Sequence, residues 1–132
     1  MGQLCEIELE GAPSSVRKAR AFVDVTLTSW RLPDLREPAV LLTSELATNA
    51  VLHARTAFRV AVHLEGESVW VEVTDGSPGV PAPVPASADT DRGRGLGLVA
   101  KLASDWGVKP SAPGKTVWFA LSRRGPGGPV AG

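Results

Sequence analysis

Polar and apolar residues alternate strictly over residues 4–10, with Cys5, Ile7 and Leu9 on one side and Glu6, Glu8 and Glu10 on the other. Successive side chains of a strand point to opposite faces, so this period of two predicts a half-buried strand. Val16, Ala19, Val23, Leu27 and Trp30 then recur at spacings of three and four. That is the period of one helix face, and it predicts an amphipathic helix that has Pro13 in its first turn and is terminated by Pro33. Arg17, Lys18 and Arg20 fall mostly off this stripe. A second helix is expected over about 37–54, with Pro38 in its first turn and a content of Ala, Leu and Val too apolar for a surface helix.

Phe58, Val60, Val62 and Leu64 alternate with Arg59, Ala61 and His63; beyond a turn at 65–68, Val69, Val71 and Val73 alternate with Trp70 and Glu72. This predicts a β-hairpin. From 75 to 97 the chain turns to Pro, Gly, Ser, Asp and Arg, a composition that supports no regular element and suits a lid or binding loop. A short helix over about 96–104, with Leu96, Val99, Ala100 and Ala103 as its apolar face, and strands near 106–109 and 116–121 complete the expected order. Residues 1–122 therefore read as the domain and 123–132 as a flexible tail.

Composition narrows the function. A chain of 132 residues, 43% hydrophobic and 21% charged, has the size and make-up of one soluble globular domain. Its 14 Lys plus Arg balance 14 Asp plus Glu, which leaves no basic footprint for nucleic acid or an anionic membrane. No apolar run approaches the ~20 residues of a membrane span, and the first residues lack the blocks of a signal peptide, so a cytoplasmic location is expected. The single Cys5 excludes an internal disulfide framework or a thiolate cluster, and two histidines leave little for zinc.

Three stretches carry candidate chemistry. Glu45, Asn49 and His53 recur every fourth residue, so they line one face of the second helix. Their oxygen atoms suit a hard cation such as Mg²⁺, with Asn49 as ligand and Glu45 orienting a water; a plain solvated polar stripe has the same spacing. Asp75 begins Asp-Gly-Ser-Pro-Gly79 at the end of a strand of valines. A carboxylate there accepts a hydrogen bond from an exocyclic amine, and Gly76 and Gly79 let the backbone approach a flat ring, although a simple turn uses the same residues. Gly93, Gly95 and Gly97 alternate with Arg94 and Leu96 directly before a predicted helix. Free amides at such a start bind phosphate, and Arg92 or Arg94 adds charge.

Two lookalikes fail. Residues 95–100 match a dinucleotide fingerprint but lack the strand that must precede it, and Gly114-Lys-Thr116 lacks the upstream glycine and following helix of a P-loop. His63 and Cys5 read as structural. Trp30, Trp106 and Trp118 read as core, and Trp70 falls opposite the valines.

Taken in order, a Glu-x-x-x-Asn helix, an Asp-x-x-x-Gly turn, a Pro-rich lid, a Gly-x-Gly-x-Gly helix start and a Thr-containing strand resemble the Bergerat ATP-binding fold of gyrase, Hsp90, MutL and histidine kinases. Glu45-Leu-Ala-Thr-Asn49, Asp75-Gly-Ser-Pro78, Gly93-Arg-Gly-Leu96 and Gly114-Lys-Thr-Val-Trp-Phe119 are most similar to free-standing bacterial anti-sigma-factor serine kinases, over roughly residues 12–122. The resemblance implies an α+β, two-layer sandwich with a mixed β-sheet covered by helices on one face. It implies ATP and Mg²⁺ as cofactors, Asn49 as Mg²⁺ ligand, Glu45 as catalytic base or water-orienting group, and Asp75 with Gly79 on the adenine. It further implies Gly93, Arg94, Gly95 and Gly97 along the phosphates, and Thr116 behind the adenine through its hydroxyl. His53 would buttress the helix. The implied activity is phosphorylation of a serine on an anti-anti-sigma (STAS-type) protein, with a sigma factor as second partner and a homodimer as assembly; the alternative is an ATP-sensing, protein-binding module without transfer. Ser77 stands where the wider superfamily has the first glycine of its turn.

Overall fold

The computed structural model describes residues 2–54, 56–76, 101–111 and 114–122. Strand β1 (Gln3–Leu9) is followed by helices α1 (Ser14–Ser29) and α2 (Pro33–Asn49), the hairpin β2 (Phe58–Glu65) and β3 (Ser68–Asp75), and the strands β4 (Asp105–Ser111) and β5 (Gly114–Ser122). The strands form a five-stranded sheet in the order β1-β2-β3-β5-β4. Both helices pack on one of its faces, which makes the fold a two-layer α+β sandwich. Among the described residues, no helix is long and apolar enough to cross a membrane.

The expected mixed sheet is corrected in one respect: every strand pairing among the described residues is antiparallel. The cause is the connections. Two helices between β1 and β2 return the chain beside β1 in the opposite sense, and β2 and β3 are joined by a tight turn. Strands β3 and β4 run the same way, but β5 lies between them and opposes both.

Helix α1 ends as the sequence predicts, before Pro33, through a reversal the sequence does not advertise. Arg31 takes a left-handed conformation (φ 62°). The Leu32 amide donates to the Leu27 carbonyl and the Arg31 amide to that of Thr28, both at 3.0 Å. This is a Schellman closure with arginine where glycine is usual, and buried Leu27 and Leu32 supply its apolar contact. The reversal brings Pro33 to the first position of α2, several residues before the expected start at 37. Pro38 is therefore inside the helix, where it has no amide to give the carbonyl of residue 34.

Ala19, Val23 and Leu27 of α1 and Leu35, Ala39, Leu42 and Leu46 of α2 are buried against the sheet. Opposite them lie Leu9, Phe58, Val60, Val62, Val69, Val71, Val73, Val117, Phe119 and Leu121. Each fully buried Val or Phe in this layer contributes about 1.5–3 kcal/mol. The expectation that the stretch 37–54 is too apolar for the surface is only half met, because Leu41 of α2 and Leu52 beyond its end remain 42% and 46% exposed.

The other sheet face carries no helix among the described residues. Its residues are those out of phase with the valines: Glu6 and Glu8 on β1; Arg59, Ala61 and His63 on β2; Trp70, Glu72 and Thr74 on β3; Thr116, Trp118 and Ala120 on β5; Gly107 and Lys109 on β4. Trp118 belongs here rather than in the core. Its indole covers Gly107 on the neighbouring strand, where a Cβ would come within 2.9 Å of the ring nitrogen. Trp106 and Trp30 do pack against the core.

Candidate functional site

The apolar rows of β3 and β5 do not end in apolar residues. Val69, Val71 and Val73 put every second β3 residue toward the helices, and Asp75 is next in that phase. On β5 the residue in phase with Val117, Phe119 and Leu121 is Lys115. Register sets the two opposite each other, with Phe58 of β2 on the far side of Asp75. Lys115 Nζ donates to Asp75 Oδ1 at 3.0 Å, with side chains only 9% and 5% exposed. A carboxylate and an ammonium thus stand side by side under the helix layer, at one end of the sheet.

Backbone contacts hold this end together. At Gly114 an added Cβ would collide with the Asp75 carbonyl oxygen, so β5 approaches β3 as only glycine permits. Thr56 Oγ1 accepts a hydrogen bond from the Gly76 amide at 3.0 Å, which ties the residue after β3 to the segment entering β2.

Helix α2 delivers the second group of residues. Glu45 and Asn49 are both half-buried and lie one turn apart. The helix then widens into one π turn, Ala50–Ala54, which packs against β3. Single π turns inserted at helix ends are frequent near functional sites. From Ala54 the chain runs almost directly into Phe58, the β2 partner of Asp75, so the Asn49 end of α2 and the Asp75 end of β3 belong to the same end of the molecule. His53, expected to buttress the helix, lies in this π turn and is exposed.

Thr116, expected behind the adenine, pairs with Thr74 across β3 and β5. Its hydroxyl is 2.7 Å from that of Thr74, on the sheet face opposite Asp75. The structure brings Lys115, and not Thr116, to the carboxylate. Strand parity was the signal that could have found it, since a lysine in the phase of Val117 and Phe119 must point inward. Gly79, Gly93, Arg94, Gly95 and Gly97, with Ser77 and most of the expected 96–104 helix, lie outside the described residues; Lys101 and Leu102 at its end are helical.

Among the described residues no three His, Cys, Asp or Glu side chains converge as a metal cluster. The Asn49 amide oxygen and the Glu45 carboxylate nevertheless fit Mg²⁺, which binds through one or two protein oxygens and takes its remaining ligands from water and phosphate.

The family model described as "Histidine kinase-like ATPase domain" matches residues 9–121. A comparison with curated proteins returns no match.

Proposed function

The chain belongs to the histidine kinase-like ATPase domain family, and on that footing we propose that it is an ATP-dependent serine/threonine protein kinase acting as an anti-sigma factor. Membership carries ATP binding and ATP-dependent chemistry at a general level. The finer reading is that the chain phosphorylates an anti-anti-sigma protein of the STAS type and, in another state, holds a sigma factor inactive, in the cytoplasm of a bacterium. The observation that supports it is the convergence of the Glu45–Asn49 turn of α2 and the buried Asp75 of β3 at one end of the fold.

In this reading Asp75 accepts a hydrogen bond from the adenine amine, with Gly79 in the same turn. Gly93, Arg94, Gly95 and Gly97 lie along the phosphates. Asn49 holds Mg²⁺, which when bound supplies charge neutralisation to the phosphates. Glu45 takes the proton from the substrate hydroxyl. That oxygen forms its bond to the γ-phosphorus as the bond to the β–γ bridging oxygen breaks, and ADP leaves. Phosphoryl transfer asks for little beyond such positioning. The first strand presents a sheet edge that suits pairing with a second copy.

Incubation with γ-labelled ATP, Mg²⁺ and a STAS-type protein tests the reading. Labelled substrate is expected with the wild type, and Glu45→Ala is expected to lose about 10²-fold or more in rate while retaining ATP affinity. Undiminished transfer by Glu45→Ala removes Glu45 from the chemistry. ATP binding with no transfer by the wild type makes the chain a nucleotide-sensing module.

A further inference from the structure

We propose that Lys115 is a base-reading residue: together with Asp75 it presents an adjacent acceptor and donor that match the Watson–Crick edge of adenine. The inference rests on the nucleotide site proposed above and assigns to it a residue to which the sequence motifs give no role.

The starting point is a buried lysine standing in a row of apolar residues. Lys115 takes a position on β5 that its neighbours in phase fill with Val117, Phe119 and Leu121, and an apolar pair at 75 and 115 together would extend the core at no desolvation cost. Instead an ammonium is held 9% exposed against a carboxylate 5% exposed. Buried ion pairs are a poor source of stability compared with apolar residues of similar volume, so the placement points to recognition.

The chemistry of the pair is specific. Asp75 is an acceptor and Lys115 a donor, and they stand at hydrogen-bond distance, 3.0 Å apart. Adenine offers, on neighbouring atoms, an amine at C6 that donates and a ring nitrogen N1 that accepts. Asp75 Oδ takes the amine proton and Lys115 Nζ donates to N1. An ammonium has three protons, so Lys115 keeps its bond to Asp75 while giving a second one to the base. Hypoxanthine and guanine carry a carbonyl at C6 and a proton on N1, which sets acceptor against acceptor and donor against donor. A site of buried polar groups rejects such a mismatch strongly, because each group left unsatisfied keeps its desolvation cost.

Two nucleotides isolate the N1 contact in the unmodified protein: ATP and its 1-deaza analogue, in which N1 becomes C–H and the amine is retained. Calorimetric titration in Mg²⁺ is expected to show ATP binding about tenfold or more tighter than 1-deaza-ATP. ITP is expected to bind weaker still, since it loses both contacts. In Lys115→Met the difference between ATP and 1-deaza-ATP is expected to vanish, and if that variant fails to fold, the wild-type comparison decides alone. Equal affinities of the wild type for ATP and 1-deaza-ATP overturn the role of Lys115 while leaving the nucleotide site standing. Absence of ATP binding overturns both.

Discussion

Two lysine–carboxylate pairs stand on opposite faces of the same sheet, and nearly everything that distinguishes them comes from which face they are on. Lys109 lies 3.9 Å from Glu72 on the open face, with its side chain 58% exposed. Lys115 lies 3.0 Å from Asp75 under the helices, with 9% exposure. Water competes for the first pair and screens it. The second gains from a lower local dielectric but has surrendered the hydration of both charges. Glu72 also shares its carboxylate with His63 at 3.3 Å, so the open face holds a loose network in which no single bond decides anything. The covered face concentrates its polarity at one point, at the end of rows of valine, and polarity placed there has to be positioned by the whole sheet.

The largest expected effect follows from breaking the buried pair. Lys115→Ala should lower stability by about 3–5 kcal/mol, because the Asp75 charge stays buried without its counter-ion; denaturant titration with unchanged m reads it directly. Lys109→Ala, the same truncation on the open face, should cost about 0–1 kcal/mol, and high salt should erase the difference from wild type. Similar losses for the two lysines would mean that burial does not distinguish these pairs.

Between these extremes lies Gly114→Ala. The added Cβ would meet the Asp75 carbonyl, and the strands must part to admit it, at a cost of about 1–3 kcal/mol in stability. A neutral result in a melting experiment would show that β3 and β5 are free to separate at this end, which would loosen the Asp75–Lys115 geometry as well.

Much of the covered face was legible in the sequence. Alternation of Cys5, Ile7 and Leu9, and of the valines in β2 and β3, reads correctly as strands because one side of each faces the helix layer. The α2 start was not legible: Pro33 and Pro38 both suit a first turn, and the choice between them was made by the left-handed Arg31, a conformation that arginine does not announce. The all-antiparallel pairing was hidden because strand order depends on where β5 inserts, a matter of tertiary packing. Among the candidate site residues, Glu45, Asn49 and Asp75 were named from resemblance and spacing. Thr116 was expected behind the adenine from the resemblance alone; a strand shows only every second side chain to a given face, and that parity sets Lys115 beside Asp75.

The most direct test of the central claim, that the Asp75 end of the sheet holds a nucleotide, is calorimetric titration of ATP, with and without Mg²⁺, into the wild type and Asp75→Asn. Binding that strengthens with Mg²⁺ and falls by about tenfold or more in Asp75→Asn is the predicted result. ATP binding of equal strength in the two proteins would place the nucleotide elsewhere and contradict the account.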